Sequence, residues 1–155
     1  MPIFRRSHYL TEAPPEGPVL AAATYLPLPS GWSNGRTFAR YNREVERQLA
    51  ASPGALAYSL QRTVFGRRFW TLSLWTDPES MHRFVRTEIH ATAARWLRGA
   101  RVPGAKFASW TPEPPRLDWS AAFEHLGMPA PVGRVIAPPT PPPPGWRDGS
   151  TANRA

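Results

Sequence analysis

An α+β fold with the element order βαββαβ is predicted by three observations. Apolar runs of strand length recur at 19–26, 55–65, 69–75 and 106–110. Two amphipathic helical stretches separate the first run from the second and the third from the fourth. At Thr76 the apolar period changes from two to about 3.6, where a strand must hand over to a helix.

VLAAATYL, residues 19–26, is entered from a proline and left through PLPSG, which marks a short buried strand. In SNGRTFARYNREVERQLAASPG, Phe38, Tyr41, Val45 and Leu49 fall at helical spacing among charged residues. Ser52, Pro53 and Gly54 stop this helix. ALAYSLQRTVF and FWTLSLW then read as two strands joined by a three-residue loop, Gly66, Arg67 and Arg68. That loop sets Leu56, Tyr58, Leu60 and Val64 on one sheet face with Trp70, Leu72 and Leu74, leaving Arg62 as the polar exception. Ser59, Gln61 and Thr63 then share the other face with Thr71 and Ser73, flanked by Phe69 and Trp75.

The second helix opens on a strong cap. Asp77 is a good N-cap, Pro78 suits the first helical position, and Glu79 favours the positive end of the helix dipole. Met81, Phe84, Val85, Ile89 and Trp96 form its apolar stripe. Thr87 offers a second N-cap that would kink the helix and start a new turn. KFASW is the last strand, and DWSAAFEHLG a further short helix expected to pack over a sheet edge. The order is the split βαβ, or ferredoxin-like, pattern.

The 155 residues, 41% hydrophobic with seven Trp and seven Phe, suit one domain with a packed core. The expected division is a flexible segment 1–17, a folded domain 18–127 and a Pro-rich disordered tail 128–155. A formal net charge of +8 raises the question of a nucleic acid partner. The basic residues are nevertheless scattered and all arginine except Lys106, which with abundant Ala, Pro and Gly reads as GC-rich bacterial coding bias, so no specific nucleic acid is expected. The absence of cysteine removes thiol nucleophiles and Cys-ligated metal sites. Neither a signal-like apolar core nor a membrane-length run is present, so a cytoplasmic protein is expected. A sheet with helices on one face leaves the other bare, and a homodimer would cover it.

His90 is the first candidate for chemistry, because a neutral imidazole can take a proton from a phenol or ligate haem iron. On an unbroken helix it lies roughly 140° from the centre of the apolar stripe and faces solvent. Only a kink at Thr87 turns it inward. Trp75, Tyr25, Tyr58 and Phe84, with Trp70, are candidates for an aromatic pocket wall, against ordinary core packing. Trp75 stands out because it ends its strand two residues before a helix begins. Arg62 is a candidate for binding a substrate carboxylate or phenolate. Glu88 and Arg95 fall near the apolar stripe, where an ion pair is the expected arrangement. His8, His82 and His125 show no metal-ligand spacing with one another or with carboxylates, and no metal site is expected. GxGxxG, GxxxxGK[ST] and GxSxG are all missing. The PxxP within PPTPPPP is read as part of the tail rather than as an SH3-like ligand.

The stretch SPGALAYSLQRTVFGRRFWTLSLWTDPESMHRFVRTEIHATAARW, residues 52–96, resembles the antibiotic-biosynthesis-monooxygenase-like branch of the dimeric α+β barrel superfamily, among its small bacterial members. The shared pattern is a strand-ending Trp, an acidic capped helix start, a bulky apolar residue, then a small polar residue followed three places on by His. Here these are Trp75, Asp77, Phe84, Thr87 and His90. The resemblance spans about residues 18–112. It implies a dimeric barrel with a pocket for a flat hydrophobic small molecule between sheet and helices. It also implies one of several activities: cofactor-free oxygenation of anthrones and quinols, haem-dependent oxygenation, cyclisation or isomerisation. The leading expectation is a monooxygenase acting without cofactor, with His90 as base, Trp75 beside it, and Tyr25, Tyr58, Arg62 and Phe84 binding substrate. Haem as a cofactor, a redox-neutral cyclase or isomerase, and a non-catalytic haem or hydrophobic-ligand binder remain as alternatives.

Overall fold

The computed structural model describes residues 1–138 apart from 14, 64, 66, 101 and 102, together with residues 142–144 and 146. The strands are β1 (Ile3–Tyr9), β2 (Leu20–Pro27), β3 (Ala55–Thr63), β4 (Arg68–Trp75), β5 (Lys106–Trp110) and β6 (Val135–Ile136). The helices are α1 (Trp32–Ala51), α2 (Pro78–Val85), α3 (Glu88–Gly99) and α4 (Trp119–His125). Among the described residues the strands form one sheet in the order β5-β2-β4-β3-β1-β6. All neighbours are antiparallel except β1 and β6. The run from β2 to β5 is the expected βαββαβ unit, its second helix divided into α2 and α3.

The first difference lies at the N-terminus. Residues 3–9, expected to be flexible, pair with β3 over their whole length, from Ile3 opposite Thr63 to Tyr9 opposite Ala57. IFRRSHY hides its strand character because its inward residues are partly polar, and their partners are polar too. Arg5 donates from Nε and Nη2 to Gln61 Oε1 at 3.0 and 2.7 Å, and Ser7 Oγ lies 2.9 Å from Ser59 Oγ. Those pairings also explain a second difference. In the observed register Arg62 faces Phe69, Leu60 faces Thr71 and Tyr58 faces Ser73, with a bulge between Ala55 and Ala57. Tyr58 and Leu60 therefore share a face with Phe69, Thr71, Ser73 and Trp75, while Ser59, Gln61 and Thr63 lie beside Trp70, Leu72 and Leu74. A three-residue loop would set Leu60 opposite Leu74 rather than Thr71, so the observed register is shifted by three residues, an odd number that exchanges the faces. The expectation avoided burying Ser59 and Gln61, whereas the structure buries both and gives each a partner. Val64 and Gly66, which that expectation used, lie outside the described residues.

Each sheet face has its own core. On one, α1, α2 and α3 close over Ala22, Tyr58, Leu60, Phe69 and Trp75. On the other, Trp119, Ala122, Phe123 and Leu126 of the α4 region, with Trp146, close over Ala21, Ala23, Trp70, Leu72 and Leu74. Helix α4 thus covers a sheet face rather than an edge, and the bare face from which a homodimer was expected is filled. Trp119 Nε1 donates to the buried Ser59 Oγ at 3.0 Å, and Trp146 Nε1 donates to Thr11 O at 3.1 Å. Two parts of the expected tail are therefore ordered: β6 beside β1, and Trp146, which is 4% exposed. Residues 139–141, 145 and 147–155 lie outside the described residues.

Helix α2 starts as its sequence dictates. Asp77 Oδ1 accepts the Ser80 backbone N–H at 2.8 Å, and Pro78 takes the first helical position. Gly54 fixes where this start sits. Its O accepts the Thr76 backbone N–H at 2.8 Å, its φ is +85°, and a Cβ there would lie 2.7 Å from Thr76 Oγ1.

Candidate active site

A cavity of about 430 Å³ lies between the sheet and the layer formed by α1, α2 and α3. Its floor is the sheet face carrying Thr24, Tyr58, Leu60, Thr71, Ser73 and Trp75. Its roof includes the α1 stripe expected from sequence, Phe38, Tyr41, Val45 and Leu49, and Met81, Phe84 and His90. Tyr41 packs on Trp96 with ring centroids 5.7 Å apart, which ties α1 to α3 across the roof.

His90 reaches the cavity because the helix breaks. The α2 helix ends at Val85, and Thr87 caps α3 in an extended conformation with φ −61° and ψ 149°. Thr87 Oγ1 accepts the His90 backbone N–H at 3.4 Å and donates to Phe84 O at 2.8 Å. The new helix direction sets the imidazole edge-on against Phe84, centroids 5.2 Å apart. Burial holds the His90 imidazole below its ordinary pKa, opposed by a hydrogen bond to the Val85 backbone. The ring is thus biased to the neutral form, which can accept a proton.

Trp75, 1% exposed, lies 5.4 Å from Phe84 centroid to centroid and donates from Nε1 to Ser73 Oγ at 2.9 Å. Its polar edge is occupied and its ring forms wall. Tyr58 also lines the cavity, and behind it His8 stacks at 4.8 Å. Burial first, then the charge of Glu46, pushes the Tyr58 phenol above its ordinary pKa, so it stays a donor.

Two expected site residues are elsewhere. Tyr25 pairs across β2 and β4 with Trp70 and packs on it at 5.4 Å, on the α4 side of the sheet. The register accounts for this, since Trp70 and Trp75 point to opposite faces. Arg62 is exposed, with its guanidinium 5.2 Å from the Phe4 ring centroid, outside the cavity lining. Glu88 and Arg95 are both exposed rather than paired under the helix, and Arg95 donates to Thr92 at 3.2 Å. His82 lies at the cavity and is exposed, and His125 stacks on Trp110 at 4.4 Å.

Sequence reasoning missed Asn42 and Glu46. They sit one helical turn apart on α1, flanking the apolar stripe, and both line the cavity. Asn42 Nδ2 donates to Glu46 Oε1 at 3.2 Å, and Arg6 forms an ion pair with the same oxygen. The available signal was their position, each one residue past a stripe residue.

Among the described residues no group of three or more His, Asp or Glu side chains could hold a metal ion. The lining does not fit haem. His90 offers a nitrogen, but the described lining contains no arginine or lysine for two propionates and does contain the carboxylate of Glu46. No described helix is long and apolar enough to cross a membrane.

No family model matches the chain, and no curated protein matches it in sequence. Solved structures do match in fold. A point mutant of SnoaB, a cofactor-independent oxygenase from Streptomyces nogalater, aligns with 15% identity and a TM-score of 0.50 over 61% of this chain and 92% of its own. A candidate antibiotic biosynthesis monooxygenase from Nitrosomonas europaea aligns with 12% identity and a TM-score of 0.54, over 63% of this chain and 92% of its own. A third, from Caulobacter crescentus, gives 13% identity and a TM-score of 0.53, over 61% and 90%. The matched chains are almost wholly covered while more than a third of this one is left over. In its matched part the chain has the fold of the antibiotic-biosynthesis-monooxygenase-like proteins that residues 52–96 resemble.

Proposed function

We propose that the chain is a monooxygenase acting on a flat, hydrophobic aromatic or polyketide-like metabolite held in this cavity. The observation that carries the reading is that the broken helix brings a neutral-biased imidazole, His90, into a cavity walled by Trp75 and Phe84. A planar substrate would lie against the Trp75 ring, with Phe84 limiting its thickness. Tyr25, on the opposite sheet face, and Arg62, outside the lining, have no part in it.

His90 takes a proton from an activated C–H or phenolic O–H of the substrate. The resulting electron-rich anion reacts with O₂ directly and needs no cofactor, a reading supported by the shared fold with a cofactor-independent oxygenase. For an anthrone-type methylene the balance is CH₂ + O₂ → C=O + H₂O. The substrate supplies the electrons, one oxygen atom enters the product and the other leaves as water. The chain's own work is to bind the ring, exclude water and hold the proton on His90. Catalysis within a cytoplasmic secondary-metabolic route belongs to the same reading. So does a single-chain unit in place of the face-to-face homodimer, supported by α4 and Trp146 lying on the face a second copy would use.

The test is O₂ uptake with anthrone as probe, for the wild type and for His90→Gln. Uptake stoichiometric with anthraquinone formation, reduced by about 10²-fold or more in the variant, supports the proposal. Saturable anthrone binding without O₂ uptake overturns it in favour of a redox-neutral cyclase or a binding protein.

A further inference from the structure

The cavity has a polar end that proton abstraction by His90 does not use. Glu46 on α1 carries the only carboxylate of the described lining, with a side chain 16% exposed. Both of its bonds, from Arg6 and from Asn42 Nδ2, land on Oε1. Oε2 has no hydrogen-bond partner among the described residues. On the facing strand Tyr58 is only 5% exposed and lines the cavity. Its hydroxyl likewise has no hydrogen-bond partner among the described residues, and it is not one of their sealed, unpartnered buried atoms. Arg6, which pairs with Glu46, and His8, which stacks on Tyr58, stand two residues apart on β1 and so on one side of it, which places the carboxylate and the phenol at the same end.

We infer that this end recognises a neutral hydroxyl on the substrate ring, with Glu46 Oε2 accepting its proton and the Tyr58 hydroxyl donating to its oxygen, and that it rejects aromatic carboxylates. The inference rests on the proposed reading of the cavity as an aromatic-metabolite site and narrows its substrate class. The described lining contains no arginine or lysine, and Arg6, the cation at this end, is already engaged by Glu46. A substrate carboxylate would meet a like charge and a phenol with one proton to give. A hydroxyl, which both donates and accepts, matches the two free groups one for one. A ring without a polar group would leave both unpaired in a water-poor space, and that penalty turns hydrogen bonding into discrimination.

The test is calorimetric titration with naphthalene, 2-naphthol and 2-naphthoate at neutral pH, with wild type, Glu46→Gln and Tyr58→Phe. Near-UV circular dichroism would establish that each variant is folded. The expected result is that 2-naphthol binds about tenfold or more tightly than naphthalene, that 2-naphthoate binds weakest, and that each variant shrinks the naphthol-to-naphthalene ratio. Equal or tighter binding of 2-naphthoate, or a ratio moved by neither variant, overturns the inference while leaving the aromatic site standing. Binding of none of the three overturns the reading of the cavity as well. Two variants on different elements keep the test decisive if one fails to fold.

Discussion

The Thr87 side chain accepts the His90 backbone N–H at 3.4 Å while its hydroxyl hydrogen is given to Phe84 O at 2.8 Å. One residue therefore closes the last turn of α2 and opens the first turn of α3. Replacing it by alanine removes the cap, at a cost of about 0.5–2 kcal/mol in unfolding free energy. Its functional effect is expected to exceed that of a remote cap of equal cost, because an α2–α3 junction that straightens rotates His90 toward solvent. Thr87→Ser keeps the cap and is expected to restore both. Urea unfolding and anthrone-dependent O₂ uptake on the two variants check this. Loss of stability with uptake unchanged would show that the break does not orient His90.

His90 in the cavity and His8 behind Tyr58 impose a pH dependence of defined sign. Burial depresses His90, opposed by the Val85 backbone bond. Burial and then Arg6 depress His8, opposed by Glu46. The unfolded chain, with ordinary imidazoles near 6.5, then binds more protons than the folded one. Their contribution to stability is present above about pH 6.5 and is lost as pH falls through the folded values, with a slope of at most about 1.4 kcal/mol per pH unit for each proton. Thermal melts of the wild type and of His90→Gln between about pH 7.5 and about pH 5 measure it. The slope on the acid side is expected to be shallower in the variant. The acid limb of kcat/KM for anthrone is expected below the ordinary histidine value, since the working base is the depressed His90. An acid limb above it would assign the base elsewhere.

Much of this arrangement could be read from local signals. Asp77 and Pro78, Thr87, and the Phe38-to-Leu49 stripe each carry their information within a turn or two, and each lies where that information says. What failed depended on partners distant in sequence. Ser59 and Gln61 look solvent-facing until Ser7, Arg5 and Trp119, more than 50 residues away in the chain, are placed beside them. A three-residue slip at that point puts Tyr58 on the face of Trp70 instead of that of Trp75. Glu46 was missed because one turn of α1 does not reveal that Arg6 arrives to neutralise it. Local chemistry is visible in a string of letters, whereas compensation across the sheet is not.

Gly54 is expected to be intolerant for reasons unrelated to catalysis. Its φ of +85° strains any L side chain, and an added Cβ would fall 2.5 Å from Ser80 Cβ and 2.7 Å from Thr76 Oγ1. Ser80 is buried at the start of α2, so the clash must push the helix cap away from β3. Gly54→Ala should lower stability by about 2–4 kcal/mol, combining backbone strain with overpacking. Denaturant unfolding measures it, and a cost below about 1 kcal/mol would mean that the cap relaxes freely.

The second sheet face gives the last expectation. Trp119 and Phe123 cover Trp70, with Trp70 and Phe123 ring centroids 5.9 Å apart, and Trp119 Nε1 holds the buried Ser59 hydroxyl at 3.0 Å. Lys106 on the outer strand donates to Leu126 O and Gly127 O at 3.4 and 3.3 Å, which ties the end of α4 to β5. For a second copy to pack on this face, that layer would first have to leave, exposing several buried aromatic rings whose burial is worth roughly 1.5–3 kcal/mol each. Light scattering of the wild type is therefore expected to give the mass of one chain at micromolar concentration. Trp119→Phe, which keeps the ring and drops the hydrogen bond, should cost about 1 kcal/mol and leave the mass unchanged. Trp119→Ala, which opens a cavity, should cost about 3–5 kcal/mol and promote association. A wild-type dimer in which hydrogen exchange at α4 slows on association would show instead that a partner packs over this layer.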